Sequence, residues 1–254
     1  MKKKGPQNTQ NTRKYKEFLF VIISIFFSVF LVLRSGATPQ SSILCVLWAL
    51  IIKEEPMKIL GICGSPKKKN STTRFALEKA MEAVETSGVA TQMLVLSEYT
   101  FSGCQDCRLC RKTFDCSIDD DFKHTIFPIL KDPEIKGMIY ASPVYFGGVT
   151  WQMKAFLDRC LVFRRNGFMF ENRVAGVITV GNSRHGGQEL AAIDLVKNCL
   201  IHGMIVVPDA PPTSHFGAML WSGIPGGIKS DSMGIETAVN LGKKAAEIVQ
   251  KLYG

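Results

Sequence analysis

Residues 104–116 read CQDCRLCRKTFDC and hold four cysteines at the spacing C-x2-C-x2-C-x5-C. Thiolates this close together can bind an iron-sulfur core or a zinc ion, and thiols can also form disulfides. The other four of the chain's eight cysteines are scattered singly, which is not the pattern of a small disulfide-rich secreted protein. The pattern therefore favours reduced thiols that are either bound to a metal centre or buried.

The spacing also bears on which centre the four thiols would hold. Cys104, Cys107 and Cys110 could each bind one iron of a 4Fe-4S cluster, and Cys116 could return across five residues for the fourth. Zinc sites more often use two separated Cys-x2-Cys pairs, and three ligands at i, i+3 and i+6 are crowded for one ion. The spacing favours a cluster, while zinc and unliganded thiols stay open as alternatives.

The elements that would position these cysteines begin at Met57 and alternate regularly. Short apolar runs predict five strands, and segments with helical spacing follow each of them. The predicted strands are KILGIC, ATQMLVLS, KGMIYAS, RVAGVITV and MIVV. The predicted helices cover 72–87, about 119–130, WQMKAFLDRCLVF, QELAAIDLVKNCLIH and 232–253. This alternation predicts an α/β fold with a doubly wound five-stranded parallel sheet, and the cysteine segment follows strand two.

Three further loops follow strands one, three and four, at the sheet edge where such folds bind ligands. GSPKKKNSTTR lacks the Walker and GxGxxG spacings, but it offers hydroxyls, N–H groups and lysines around a helix N-terminus, which suit a phosphate. SPVYFGGVTWQMKAFLDR could border a flat aromatic ligand, and the glycines of TVGNSRHGGQE allow close approach of the main chain. Helix capping and ordinary turns are the alternatives.

Together, the three loops resemble those of the flavodoxin-like, FMN-binding proteins of the NADPH-dependent FMN reductase superfamily. With the cysteine run after strand two, residues 57–254 resemble the iron-sulfur flavoproteins. The resemblance implies a flavodoxin-like sheet of order 2-1-3-4-5, with FMN and one 4Fe-4S cluster as cofactors. It implies that the FMN phosphate is bound by Ser65, Asn70, Ser71 and Thr72, with Lys67 adding positive charge. It implies that the isoalloxazine ring is bordered by Pro143, Val144, Tyr145, Phe146, Gly147, Gly181 and Asn182. It implies that the cluster ligands are Cys104, Cys107, Cys110 and Cys116.

The resemblance also implies a function, which is electron exchange between the 4Fe-4S cluster and FMN with a ferredoxin-like protein as donor. It implies a homodimer or homotetramer in which the cluster lies near a subunit interface. One alternative is an NAD(P)H-dependent FMN or quinone reductase without a cluster. Another is a membrane-tethered binding module whose flavin fold is vestigial. In the strand order 2-1-3-4-5, strands two and three lie roughly 10 Å apart, so the cysteine segment would lie close to the flavin loops.

The first 56 residues differ from the rest of the chain. Six basic residues precede FLFVIISIFFSVFLVL, residues 18–33, which would span about 24 Å as a helix, short of the ~30 Å hydrocarbon core of a membrane. Residues 1–56 are interpreted first as lying upstream of a true start at Met57, then as a membrane anchor, and last as a cleaved signal. Because export would expose a thiol-rich body to oxidation, a cytoplasmic location is expected.

The distribution of charge bears on whether the chain binds nucleic acid. Residues 1–56 hold eight Lys and Arg against three Glu, so they carry +5 of the net charge of +9 and leave +4 for the body. The body has no basic stripe with interleaved aromatic residues, which disfavours nucleic-acid binding.

Cys63, Cys160 and Cys199 are expected in the core. Residues 208–231 are expected to cover the flavin or to contact a partner subunit, with Phe216 and Trp221 as apolar anchors.

Overall fold

The sheet expected from the sequence is present in the computed structural model, which describes residues 57–254. The strands are β1 (Lys58–Cys63), β2 (Ala90–Val95), β3 (Ile135–Pro143), β4 (Val174–Gly181), β5 (Ile205–Val206) and β6 (Ala218–Trp221). The helices are α1 (Thr72–Thr86), α2 (Phe127–Leu130), α3 (Trp151–Arg159), α4 (Leu161–Arg165), α5 (Gln188–Ile201) and α6 (Ser232–Tyr253). The strand pairs are parallel in the order β2-β1-β3-β4-β5, which confirms the predicted topology.

Two apolar cores lie on the two faces of this sheet. One core packs α1 and α6 on the sheet through small and branched residues such as Ala80, Leu241 and Val249. The other packs α2, α3 and α5 on the opposite face and includes the aromatic residues Phe122 and Phe163. Because both faces are covered, the central strand β4 is buried along its whole length, whereas the edge strand β2 is buried only at Leu94 and Val95.

The strand count is the main difference from the sequence prediction, since the sheet has six strands rather than five. The predicted strand MIVV pairs with β4 only through Ile205 and Val206, and β6 continues the pairing along β4 from Ala218. Pro208 lacks an N–H and cannot extend the ladder, so the chain leaves the sheet and returns. Trp221, expected as a loop anchor, lies in β6 instead.

Two predicted helices also differ in their bounds. The helix expected from about 119 starts with a π-helical turn at Phe122, because the Asp120 carboxylate accepts hydrogen bonds from the backbone N–H of Phe122 and of Ser102. The segment WQMKAFLDRCLVF forms two helices, α3 and α4, that meet at Cys160. Both changes lie next to the cysteine segment and shape its surroundings.

The three cysteines that were predicted in the core are buried there. Cys63, Cys160 and Cys199 are each at most 2% exposed. Burial raises the pKa of the Cys199 thiol to about 12, so this thiol is protonated and unreactive at neutral pH.

The expectations for residues 1–56 lie outside the described residues. Within 57–254, no helix has the length and apolar character needed to cross a membrane.

Candidate functional site

A cavity opens where β1, β3 and β4 end at the carboxyl edge of the sheet, and we call it the edge cavity. It is lined by Ser65, Lys67, Thr72, Thr73, Pro143, Val144, Tyr145, Val180, Asn182 and Ser222. Seven of the twelve residues predicted to bind flavin are in this set: Ser65, Lys67, Thr72, Pro143, Val144, Tyr145 and Asn182. The structure therefore brings together the three loops that the sequence singled out.

The loop after β1 is ordered by its own hydroxyl groups. Ser65 Oγ accepts a hydrogen bond from the backbone N–H of Lys67 at 3.3 Å, and Ser71 Oγ caps α1 by accepting one from Arg74 N at 3.1 Å. Asn70 adopts a left-handed conformation with φ of 52°, which this residue type tolerates. The other N–H groups of the first turn of α1 have no partner within the helix, so they remain available to an anion.

Asn70 and Ser71 do not line the edge cavity. They lie in a neighbouring groove whose cationic lining residues are Lys68, Lys69, Arg74 and Lys229. Thr72 lines both the groove and the edge cavity, so the two are continuous at the start of α1.

The loop after β3 ends in a tight turn at the rim of the edge cavity. The backbone groups of Tyr145 and Gly148 exchange two hydrogen bonds of 2.9 and 3.0 Å, and Phe146 and Gly147 between them have φ values of 49° and 75°. Positive φ at both central positions defines a type I′ turn, in which a phenylalanine is unfavourable. Phe146 and Gly147 do not line the edge cavity, and the Phe146 side chain is fully exposed.

Gly181 ends β4 and does not line the edge cavity itself. A Cβ at this position would lie 2.4 Å from Gln188 Nε2, so only glycine allows Gln188 to pack there. Gln188 in turn orders the following loop, since its amide donates to Ser183 O and accepts from Gly186 N. The close approach of Gly181 thus shapes the loop that presents Asn182.

Sequence reasoning missed three lining residues: Thr73, Val180 and Ser222. Thr73 and Val180 are each next to a predicted flavin-binding residue in the sequence, Thr72 and Gly181. Ser222 follows β6, and its backbone N–H donates to Gly181 O at 2.8 Å. The only sequence signal for Ser222 is the short apolar run AMLW before it, in a segment whose Pro and Gly content predicts a loop.

A second cavity, the cysteine cavity, is lined by all four clustered cysteines together with side chains of α3 and α4. Cys104 and Cys107 are exposed, and Cys110 and Cys116 are half-buried. Asp106 and Arg108, which lie between Cys104 and Cys110 in the sequence, have φ values of 47° and 64°. These conformations turn the chain sharply around the cavity. Four free thiols around one space are the donor set of a 4Fe-4S cluster. Within 57–254, no three His, Cys, Asp or Glu side chains converge closely enough to hold a single metal ion.

Helix α3 connects the two cavities. Thr150, its N-cap, contacts the carbonyl of Gly64 beside the edge cavity, and Asp158 and Arg159 at its other end line the cysteine cavity. A helix of nine residues is about 14 Å long. The two cavities therefore lie at opposite ends of one short helix.

Comparison with known proteins assigns the family. Residues 57–218 match the family model described as NADPH-dependent FMN reductase. The chain is 41% identical over 194 residues to an iron-sulfur flavoprotein of Methanocaldococcus jannaschii, an alignment that covers 76% of this chain and 98% of the relative. It is 35% identical over 198 residues to an iron-sulfur flavoprotein of Archaeoglobus fulgidus, with 77% and 99% covered. The chain belongs to the iron-sulfur flavoprotein family.

The fold of this iron-sulfur flavoprotein also has a counterpart among solved structures. The crystal structure of a flavodoxin, a WrbA-like protein from Agrobacterium tumefaciens, superimposes with a TM-score of 0.53. The match covers 77% of this chain and 98% of that protein, at 17% identity. At this identity the likeness establishes a flavodoxin-like fold.

Two sulfur atoms that line the cysteine cavity form hydrogen bonds with neighbouring side chains. Arg165 Nη1 donates to Cys110 Sγ at 3.1 Å, and this contact raises the pKa of Arg165. Cys107 Sγ and Ser117 Oγ lie 2.9 Å apart, and the hydrogen bond between them lowers the pKa of the Cys107 thiol. The contact with Ser117 favours the thiolate form of Cys107, which is the form that ligates a metal.

A buried ion pair closes the base of the cysteine segment. Arg159 donates two hydrogen bonds to the carboxylate of Asp120, at 2.8 and 3.0 Å, and a third to Ser102 O. Burial opposes ionisation of Asp120, but the hydrogen bonds from Arg159 and Ser102 outweigh it and hold the pKa of this carboxyl below its usual value. Ser102 precedes the four cysteines and Asp120 follows them. The side chain of Arg159 therefore holds both ends of the cysteine segment.

One residue that lines the cysteine cavity has an unpaired donor atom. Arg159 lines the cavity and is 3% exposed, and its Nε has no hydrogen-bond partner among the described residues. A buried guanidinium N–H without a hydrogen-bond partner is costly. The four thiols, and the hydrogen bond from Arg165 to Cys110 Sγ, fit an anionic iron-sulfur centre.

Proposed function

We propose that this chain binds FMN and one 4Fe-4S cluster and exchanges electrons between them, taking electrons from a ferredoxin-like donor. The observation that carries the proposal is the position of the two cavities, one with the predicted flavin residues and one with the four cysteines, at the two ends of α3. When bound, FMN supplies one- or two-electron chemistry and the cluster supplies one-electron chemistry. The working unit in this proposal is 57–254, with 1–56 as a separate tail.

The edge cavity would hold FMN. Lys67, Ser65 and the N-terminus of α1 at Thr72 offer positive charge, a hydroxyl and N–H groups to the phosphate. Asn70 and Ser71 would act from the adjoining groove by shaping this turn. The ring would lie against the remaining predicted residues: Pro143, Val144, Tyr145, Phe146, Gly147, Gly181 and Asn182.

The cysteine cavity would hold the cluster. Cys104, Cys107, Cys110 and Cys116 would supply its four thiolates, and Arg165 would donate a hydrogen bond to the sulfur of Cys110. Because Cys104 and Cys107 are exposed, that side of the cluster would be accessible to a protein donor.

The same proposal includes a homodimer or homotetramer. Several large apolar side chains near the edge cavity are more than 45% exposed: Tyr145, Phe146, Trp151, Leu190 and Ile193. Exposed apolar groups of this kind are typical of surfaces that a second subunit covers.

Anaerobic stopped-flow kinetics of the cofactor-loaded full chain test this function. Reduced ferredoxin should reduce the bound FMN rapidly, and the variant Cys110→Ser should lose this reaction while it retains FMN. The matched family model carries the name of an NADPH-dependent reductase, so NADPH is the competing reductant. If NADPH reduced the FMN faster than ferredoxin did, in both the wild type and Cys110→Ser, the chain would instead be an NAD(P)H-dependent flavin or quinone reductase.

A further inference from the structure

One of the four clustered cysteines has an arginine on its sulfur. Arg165, the last residue of α4, donates from Nη1 to Cys110 Sγ at 3.1 Å. Its side chain is 18% exposed, so water screens the interaction only in part. Among residues 57–254, the nearest carboxylate oxygen to its other terminal nitrogen belongs to Asp106 and is 3.9 Å away, at the limit for an ion pair. The positive charge of Arg165 is thus directed mainly at the sulfur.

The backbone of Cys110 is held by the same part of the chain. Asn166 Nδ2 donates to Cys110 O at 3.1 Å and to Val162 O at 2.8 Å. Cys110 also packs against the apolar core, unlike the exposed Cys104 and Cys107. The distance between Arg165 and the sulfur is therefore fixed by contacts on both sides of Cys110.

We propose that Arg165 raises the reduction potential of the iron-sulfur centre through its hydrogen bond to Cys110 Sγ. The inference rests on the proposed function, because it requires a cluster on these cysteines. On reduction the cluster accepts one electron and becomes one unit more negative, and its ligand sulfurs share that charge. A hydrogen-bond donor with a positive charge stabilises the more negative state, and hydrogen bonds to sulfur are one of the established influences on cluster potentials.

The preceding residue provides a matched control. Arg164 carries the same charge and lies next to Arg165 in α4, but its Nε donates to Ile201 O at 2.9 Å and its guanidinium lies over the Phe168 ring. Arg164 makes no hydrogen bond or ion pair with a clustered cysteine within 57–254, and it does not line the cysteine cavity. Loss of Arg164 removes an equal charge from the region while the sulfur keeps its donor.

Redox titration of the loaded full chain tests the inference. The cluster potential is followed by electron paramagnetic resonance in Arg165→Gln, Arg165→Lys, Arg164→Gln and the wild type, and the FMN potential is measured in each sample. Arg165→Gln should shift the reduction equilibrium of the cluster at least tenfold toward the oxidised form, which is 59 mV for one electron. Arg164→Gln should shift it much less, and the FMN potential should not move.

Arg165→Lys covers the case in which Arg165→Gln does not assemble a cluster. Lysine keeps the charge but lacks the planar guanidinium, so the potential of Arg165→Lys should lie below that of the wild type and above that of Arg165→Gln. A loaded Arg165 variant with an unchanged cluster potential, or an equal shift in Arg164→Gln, would overturn the inference alone. A wild-type chain without iron and sulfide would overturn the proposed function as well.

Discussion

The hydroxyl of Thr150 donates a hydrogen bond of 2.6 Å to the carbonyl oxygen of Gly64. Thr150 is fully buried at the start of α3, and Gly64 begins the loop after β1. The same Oγ1 accepts from Met153 N at 3.2 Å, and the Thr150 backbone N–H donates to Ser142 Oγ at 3.2 Å. One residue, through its side chain and its backbone N–H, thus joins the ends of β1 and β3 to the helix that connects the two cavities.

Replacement of Thr150 by valine should loosen the edge cavity. Valine is similar in shape but leaves the carbonyl of Gly64 and the N–H of Met153 without their buried partner, which should lower the free energy of unfolding by about 1–3 kcal/mol. FMN binding should weaken, because the loop that begins at Gly64 loses its support. Urea denaturation and fluorescence titration with FMN measure the two effects.

Thr150→Ser is the matched control, since it keeps the hydroxyl and loses only a methyl group. It should retain most of the stability and FMN affinity. Equal losses in Thr150→Ser and Thr150→Val would show that packing, and not the hydrogen bond to Gly64, holds this junction.

Replacement of Phe146 by asparagine should separate stability from binding. Asparagine tolerates the positive φ of the turn, so the free energy of unfolding of the FMN-free protein should rise by about 1 kcal/mol. If the aromatic ring lies against the flavin, FMN affinity should fall by up to about tenfold. Thermal unfolding and FMN titration of the same preparations test both parts.

Phe168→Asn is the control for Phe146→Asn. Phe168 also has a positive φ, 52°, and is 43% exposed, but it packs beside Arg164 and not at the edge cavity. The variant Phe168→Asn should therefore leave FMN affinity unchanged. Unchanged FMN affinity in Phe146→Asn would contradict a role for Phe146 in flavin binding.

Loss of Arg159 should destabilise the base of the cysteine segment. Arg159→Met leaves the carboxylate of Asp120 without its partner in a site where the two side chains are 1% and 13% exposed. Removal of one member of a buried pair costs about 3–5 kcal/mol, and iron and sulfide content should fall with it. Chemical denaturation and metal analysis measure these outcomes.

An exposed ion pair on the same helix gives the comparison. Lys154 pairs with Asp158 on α3 with both side chains about half exposed, so Lys154→Met should cost less than about 1 kcal/mol. If Arg159→Met cost no more than Lys154→Met, the ion pair with Asp120 would not hold the segment.

His202 should make stability depend on pH. Burial, with a smaller contribution from Arg164, lowers the pKa of His202 to about 4, against about 6.5 in the unfolded chain. The folded protein favours the neutral ring. The contribution of His202 to the free energy of unfolding is therefore complete above pH 6.5 and is lost as the pH falls toward 4. By linkage, His202 should account for a loss of about 2 kcal/mol between pH 8 and pH 5.

His202→Gln should remove this part of the pH dependence, as measured by urea denaturation at several pH values. His124→Gln is the control, because the His124 side chain is 61% exposed. Parallel pH profiles for the wild type and His202→Gln would contradict the assignment to His202.

The sheet was predictable because each buried strand is a continuous apolar run, as in KILGIC, and each is followed by a helical segment. The division of the last sheet position into β5 and β6 was not, because it depends on where the chain leaves the sheet at Pro208 and returns at Ala218. That return depends on a close approach: a Cβ on Gly217 would lie 2.5 Å from the carbonyl oxygen of Val177. Such a contact joins residues far apart in the chain and leaves only a lone glycine in the sequence.

The site was predictable where loops follow strands directly. Ser65, Val144 and Asn182 each lie within two residues of a strand end, so the topology alone brings them together. Ser71 was harder to place, because one hydroxyl can cap a helix or bind a phosphate; in the structure its Oγ accepts a hydrogen bond from Arg74 N at the start of α1, and phosphate binding stays a prediction. Arg165 lies 55 residues from Cys110, and no local pattern links the two.

The central claim is that the two cavities hold an iron-sulfur cluster and a flavin in the same chain. Its most direct test is a joint assay of iron, acid-labile sulfide, zinc and FMN in one anaerobic preparation of the full chain. We predict about four iron, four sulfide and one FMN per chain, without zinc. Stoichiometric zinc without sulfide, or an absence of FMN, would contradict it.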